Sequence, residues 1–248
     1  METEKLSQSL AALISDKCEK CGIRVRQVGK LVTNHATLKQ ERETSKYCSR
    51  CLEVLKRIET RSAIQILKLL RDLVEDKYMV AELSHIPEEY RKVIINLAPD
   101  DDLFLWGAVG VGKTYAMAAL IRDYLCKGFD VERINFDNFC CRVRSTFNKT
   151  SKITENNLIT KMTDVDKLFI DDLGLRSEQE TSFAYATLYS IFNKRQERGL
   201  PTLITTNKSI ADLASSFDIR IASRLASAIS IEMIGDDRRI LKQKAGER

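Results

Sequence analysis

The stretch LFLWGAVGVGKTYAM, residues 103–117, restricts the fold of this 248-residue chain more than any other. Four apolar residues read as a buried strand, followed by a glycine-rich turn, Lys113 and Thr114, and a helix. Gly107-x4-Gly112-Lys113-Thr114 fits the pattern G-x4-GK[ST], and a strand-to-helix setting is where that pattern works as a phosphate cradle. Gly107, Gly110 and Gly112 let the backbone turn its N–H groups inward, and Val111 and Tyr115 belong to the same cradle. Lys113 sets a cation against β- and γ-phosphates, the helix N-terminus adds its dipole, and Thr114 offers a hydroxyl to Mg²⁺. A bound nucleoside triphosphate is implied. Its purpose is not.

Such a loop predicts a second strand that ends in a carboxylate, and KLFIDDLG supplies one. Asp171 would hold the Mg²⁺ shell and Asp172 would polarise the attacking water. Both sit where ligands bind in open parallel sheets, at a strand's C-terminal end. A further strand, TLITT, leads to Asn207, whose amide either positions the water or caps the following helix. Arg220 and Arg224, four apart, share one helix face. An arginine there can stabilise a transferring phosphoryl group, often in a neighbouring molecule. Arg239 in GDDRRIL is a weaker candidate of the same kind.

From Leu103 onward, strands and helices alternate. Predicted strands are LFLW, VERINF, KLFIDD, TLITT and ISIEMI. Predicted helices are 114–126, 137–149 (entered through Asp137 as N-cap), 180–198 and 211–227. This alternation implies a parallel sheet covered by helices on both faces. Upstream, Leu52, Leu55, Ile58, Leu67, Leu70 and Val74 recur at helical spacing, so residues 52–80 read as helix. LSHIPEEYRKVIINLAPDDD brings prolines and an acidic turn, which places a boundary near residue 82. Two domains follow, 1–81 and 82–248. The first carries 16 Lys+Arg against 11 Asp+Glu and the second is balanced at 24 of each. The basic part suits nucleic acid, an acidic protein face or plain solvation. Neither a membrane span nor a signal peptide is visible. Cytoplasmic residence is expected, with the seven cysteines as reduced thiols or metal ligands.

IPEEYRK, LFLWGAVGVGKT, KLFIDDLG, GLPTLITTN and IRIASRL occur in the order and rough spacing of the AAA+ ATPases of the DnaC/DnaI helicase-loader and IstB transposition-helper group. This resemblance covers roughly residues 84–245. It implies an α/β AAA+ P-loop core with a five-stranded parallel sheet, binding ATP and Mg²⁺. Lys113 and Thr114 then become Walker A, and Asp171 and Asp172 become Walker B. Asn207 becomes sensor 1, Arg224 a trans-acting arginine finger and Arg239 a sensor 2. Most AAA+ proteins carry Glu at the position of Asp172, so a carboxylate one methylene shorter implies slow hydrolysis. Members of the group form homo-oligomers through ATP interfaces and bind DNA.

Two local features add to this. Cys18, Cys21, Cys48 and Cys51 form C-x2-C-x26-C-x2-C, which can close a tetrahedral structural zinc site. In so small a module zinc would supply most of the folding energy, about 10–16 kcal/mol. A zinc module ahead of an AAA+ core resembles the DnaI-type loaders, whose N-terminal domain contacts the helicase. Residues 136–152 interleave Phe136, Phe139 and Phe147 with Arg142, Arg144, Lys149 and Lys152. That mixture suits single-stranded DNA, or else an amphipathic helix with Phe inward and cations outward. The expectation is a helicase loader that grips a DnaB-type replicative helicase and single-stranded DNA. The alternatives are a transposition helper assembling on duplex DNA, and a nucleotide-gated adaptor with little hydrolysis.

Overall fold

The computed structural model describes residues 49–146, 154–174, 182–216 and 219–238. The chain divides into two compact units, Met1–Arg61 and Ser62–Arg248. In the first, helix α1 (Ser49–Thr60) is amphipathic and buries Cys51 and Val54.

The second unit begins earlier than the proline-rich boundary near residue 82. The long helix expected over 52–80 is broken at Arg61-Ser62, where Ser62 starts α2 (Ala63–Leu73) with a capping box. The Ser62 hydroxyl accepts the Gln65 N–H at 3.3 Å, and the Gln65 side-chain carbonyl accepts the Ser62 N–H at 2.8 Å. Leu70 and Val74 then enter the core beside Ile94 of α3 (Glu88–Ile95), so α2 folds with the sheet.

Five parallel strands follow: β1 (Leu103–Trp106), β2 (Val131–Asn135), β3 (Lys167–Asp171), β4 (Thr202–Thr206) and β5 (Ile229–Glu232). Their order is β2-β3-β4-β1-β5. Every residue of β3 and β4 is buried, as central strands covered on both faces require. Alternation along each strand feeds two cores. Phe104, Ile134, Leu168, Ile170 and Ile204 face one side, packed against α5 (Phe136–Ser145), α6 (Glu155–Asp164) and α7 (Ser182–Glu197). Leu103, Leu105, Phe169 and Leu203 face the other, against α2, α3 and α4 (Lys113–Cys126). Helix α4 buries Ala116 through Ile121 without a break, which explains its lack of a polar stripe.

Two expected helices are adjusted and one helix is added. Helix α5 is capped by Asn135, whose side chain accepts the N–H groups of Asp137 and Asn138, rather than by Asp137. Within the span 211–227 expected as helix, the described residues are helical over α8 (Ile210–Ser216) and α9 (Ile219–Leu225). Helix α6, entered through Thr154 as N-cap, has no counterpart among the predicted elements. Its apolar residues Leu158, Ile159 and Met162 are few, and their periodicity emerges only against the sheet.

Candidate functional site

The loop between β1 and α4 lies at the C-terminal edge of the sheet, flanked by β4 and β5. Gly107 has φ 144° and Gly112, the N-cap of α4, has φ 110°. A Cβ on Gly107 would overlap the Met233 carbonyl oxygen, so both sterics and torsion demand glycine there. The Lys113 ammonium donates to the carbonyls of Gly107 at 2.9 Å and Ala108 at 2.7 Å, which holds it over the mouth of the loop. The Val111 side chain is buried in the core, leaving only its backbone for the cradle. The Tyr115 hydroxyl lies 2.7 Å from His85 Nδ1.

Thr114 and Asp171, the expected Walker A and Walker B residues, meet directly. Thr114 Oγ1 donates to Asp171 Oδ1 at 3.2 Å across 57 residues of sequence. Thr205 Oγ1, on the neighbouring strand β4, donates to the same oxygen at 2.5 Å and accepts the Asp172 N–H at 3.0 Å. Oδ2 of Asp171 accepts from Arg133 at 2.5 Å. Asp171 is therefore buried and fully oriented. Asp172 is exposed, with φ 58°, a left-handed conformation that aspartate tolerates and that turns its side chain out of the strand. A hydroxyl and a carboxylate side by side at the mouth of an N–H-lined loop form the oxygen donor set that Mg²⁺ takes together with phosphate. The residues present fit Mg²⁺ and a nucleoside triphosphate.

The other expected site residues are distributed as follows. Asn207 is exposed, directly after β4. Ser209 does the capping of α8 through reciprocal bonds with Asp212, which removes the helix-cap explanation for Asn207. Arg224 is half-buried and bonded to Asn193 at 2.7 Å and Tyr189 at 3.0 Å, both on α7, and its guanidinium lies over the Tyr189 ring. Arg239, Phe147, Lys149, Cys18, Cys21 and Cys48 lie outside the described residues. Phe139 requires a correction. It is fully buried in the core beside Phe136 and cannot offer a ring to a base, whereas Arg142 and Arg144 are exposed. Helix α5 follows the amphipathic alternative, because two phenylalanines at helical spacing find a ready apolar face on the sheet.

Sequence reasoning missed Arg133, Thr205 and Arg238. Arg238 donates its backbone N–H to the Gly110 carbonyl at 3.1 Å, and its guanidinium lies 3.5 Å from where a Cβ on Gly112 would stand. The doubled arginine in GDDRRIL was a usable signal for it. Arg133 sits in an alternating strand, where a charged residue reads as solvent-facing.

The bacterial DnaA ATPase domain family matches residues 82–232, more than half of the chain. The chain belongs to that family. Within this DnaA-type ATPase domain the five-stranded α/β core and the ATP- and Mg²⁺-binding character of AAA+ ATPases agree with the cradle described above. The replicative helicase loader DnaC of Escherichia coli K12 is 25% identical over 128 residues, covering 52% of this chain and 51% of that protein. The chain thus spans about half the length of that curated relative. Among solved structures, the crystal structure of DnaI superposes with TM-score 0.56 at 24% identity, covering 67% of this chain and 94% of that one. The replication initiator DnaA bound to AMPPCP and single-stranded DNA does so with TM-score 0.55 at 23% identity, covering 70% and 56%. These likenesses concern the fold. No helix among the described residues is long and apolar enough to cross a membrane.

Proposed function

We propose that this chain is a cytoplasmic ATP-dependent helicase loader, which places a ring-shaped replicative helicase of DnaB type on single-stranded DNA. The observation that carries the reading is the Thr114–Asp171 contact, which completes a Mg²⁺–ATP site in a chain similar to a helicase loader. Lys113 neutralises the phosphates, Thr114 and Asp171 hold Mg²⁺, Asp172 orients water and Asn207 contacts the γ-phosphate. Arg224 leaves Tyr189 and Asn193 to reach the ATP of a second copy, so the active form is a homo-oligomer. Arg238 and Arg239 complete the phosphate shell. Exposed Arg142 and Arg144 contribute a backbone-tracking electrostatic patch for DNA. The N-terminal unit, which ends at Arg61, grips the helicase, and its cysteines Cys18, Cys21, Cys48 and Cys51 hold one structural zinc. The donor set supports the metal, since four thiolates at such spacing leave no open coordination position.

Co-purification of the full chain with the host's replicative helicase, with and without ATP, tests the function. Association that strengthens with ATP supports it, and no association in either condition rejects it. Elemental analysis of the purified chain should give about one zinc per chain. Much less than one removes the metal but leaves the ATPase reading standing.

A further inference from the structure

Asp171 shares its second oxygen with Arg133, which lies outside both GAVGVGKT and KLFIDDLG. Arg133, on β2, lies in register with Phe169 and projects on the same face of the sheet as Asp171. Its side chain is 12% exposed and that of Asp171 4%. One terminal nitrogen donates to Asp171 Oδ2 at 2.5 Å, and the other donates to the Leu73 carbonyl at 3.0 Å. Glu75 lies 3.9 Å from the same guanidinium. Leu73 is the last residue of α2, so its carbonyl is one of those a helix C-terminus leaves without an intrahelical partner, where a cation is favoured. A single planar cation therefore satisfies both the Walker B carboxylate and the end of the first helix of the ATPase unit.

Resting on the reading of Asp171 as the Mg²⁺ carboxylate, we propose that Arg133 is a positioning residue that couples Mg²⁺ at the nucleotide site to the C-terminal end of α2. By holding Oδ2, it turns Oδ1 towards Thr114, the side on which the metal is held. By holding Leu73, it makes the orientation of that carboxylate depend on where α2 ends. Coupling of this kind is reciprocal: Mg²⁺-nucleotide must stabilise the end of α2 by as much as the docked α2 favours Mg²⁺. Lysine cannot replace the bridge, because one ammonium on a flexible stem lacks the fork that reaches both oxygens in fixed geometry.

The test uses the full chain, a non-hydrolysable ATP analogue, and titration with and without Mg²⁺. Hydrogen exchange is read at the Val74 amide, which donates to Leu70 and reports the last turn of α2. In the wild type, Mg²⁺ with the analogue should slow that exchange. In Arg133→Met, the gain in analogue affinity on adding Mg²⁺ should fall by about tenfold, as for other groups that orient a metal ligand. Metal-free affinity should stay unchanged, and the Val74 response should vanish. Arg133→Lys should recover most of the Mg²⁺ gain but not the Val74 response, a split that a merely structural residue would not produce. Should Arg133→Met fail to fold, the lysine variant alone carries the comparison. A Val74 response equal to wild type in either variant overturns the proposal. So does a wild type that binds Mg²⁺ and analogue with no change at Val74, and this result leaves the ATPase reading intact. A wild type that binds no analogue at all overturns both.

Discussion

Two arginines, one fully buried and one half-buried, mark the two ends of the sheet, and they do different things. Arg195, fully buried at the end where β4 begins, donates to the Thr202 hydroxyl and to the carbonyls of Met162, Val165 and Pro201. It joins α6, α7 and β4, and none of these four partners is a candidate site residue. Arg133 is less deeply buried and ends on a carboxylate that also meets Thr114. Arg195 is the more deeply buried and the more heavily hydrogen-bonded of the two, but neither quantity defines a role. Under the proposed function, what separates them is whether a partner has a ligand of its own to hold, which would make the C-terminal edge of the sheet chemical and the opposite end structural.

The comparison is most sharply tested at Arg195. Arg195→Met should cost about 3–5 kcal/mol of stability, because several buried acceptors lose the donor fork they share. Urea unfolding measures the loss. Nucleotide affinity of the protein that remains folded should be unchanged, and a weakened affinity would break the division between the two ends. Asp172→Asn should act in the opposite sense, lowering ATP turnover by about a hundredfold with little effect on the unfolding midpoint. Steady-state hydrolysis beside equilibrium binding checks it. Unaltered turnover would show that Asp172 does not orient the water and would favour a nucleotide-gated adaptor.

The smallest expected effect lies at the structural end. Asp102 accepts the Thr202 N–H at 2.6 Å, and burial pushes its carboxyl above the ordinary carboxylate range, partly offset by that N–H and by Arg195. A raised pKa in the folded state means that the folded protein binds the proton more tightly. Stability from this group is therefore lost as pH rises from the unfolded value through the folded one. Asp102→Asn keeps an acceptor for Thr202 and does not titrate. Its melting temperature relative to wild type should rise between about pH 3 and pH 6, across the carboxylate range. A difference independent of pH would show that Asp102 titrates normally.

Much of the nucleotide site is written locally. A phosphate cradle needs glycines, a lysine and a hydroxyl within eight residues, and a strand-end carboxylate needs only an apolar run before it. Both patterns therefore survive reading without a structure, as do the five strands. The misread segments share a different cause. The interruption at Arg61-Ser62 is decided by a capping box stronger than the helical period around it. Phe139 turned inward because the sheet presented an apolar face, and the same pattern on a free helix would have suited a nucleic acid equally well.

The chain's own sequence thus determined the strand-turn-helix cradle, the adjacent carboxylates and the alternation that makes a parallel sheet, because each depends on neighbours a few bonds away. The tertiary structure alone decided which oxygen of Asp171 meets Thr114 and which meets Arg133, 38 residues distant. It alone decided that Thr205 clamps both carboxylate residues and that Arg238 reaches the loop. These contacts follow from strand register and from helices laid across it. Register is a property of pairs of segments, and no single segment contains it.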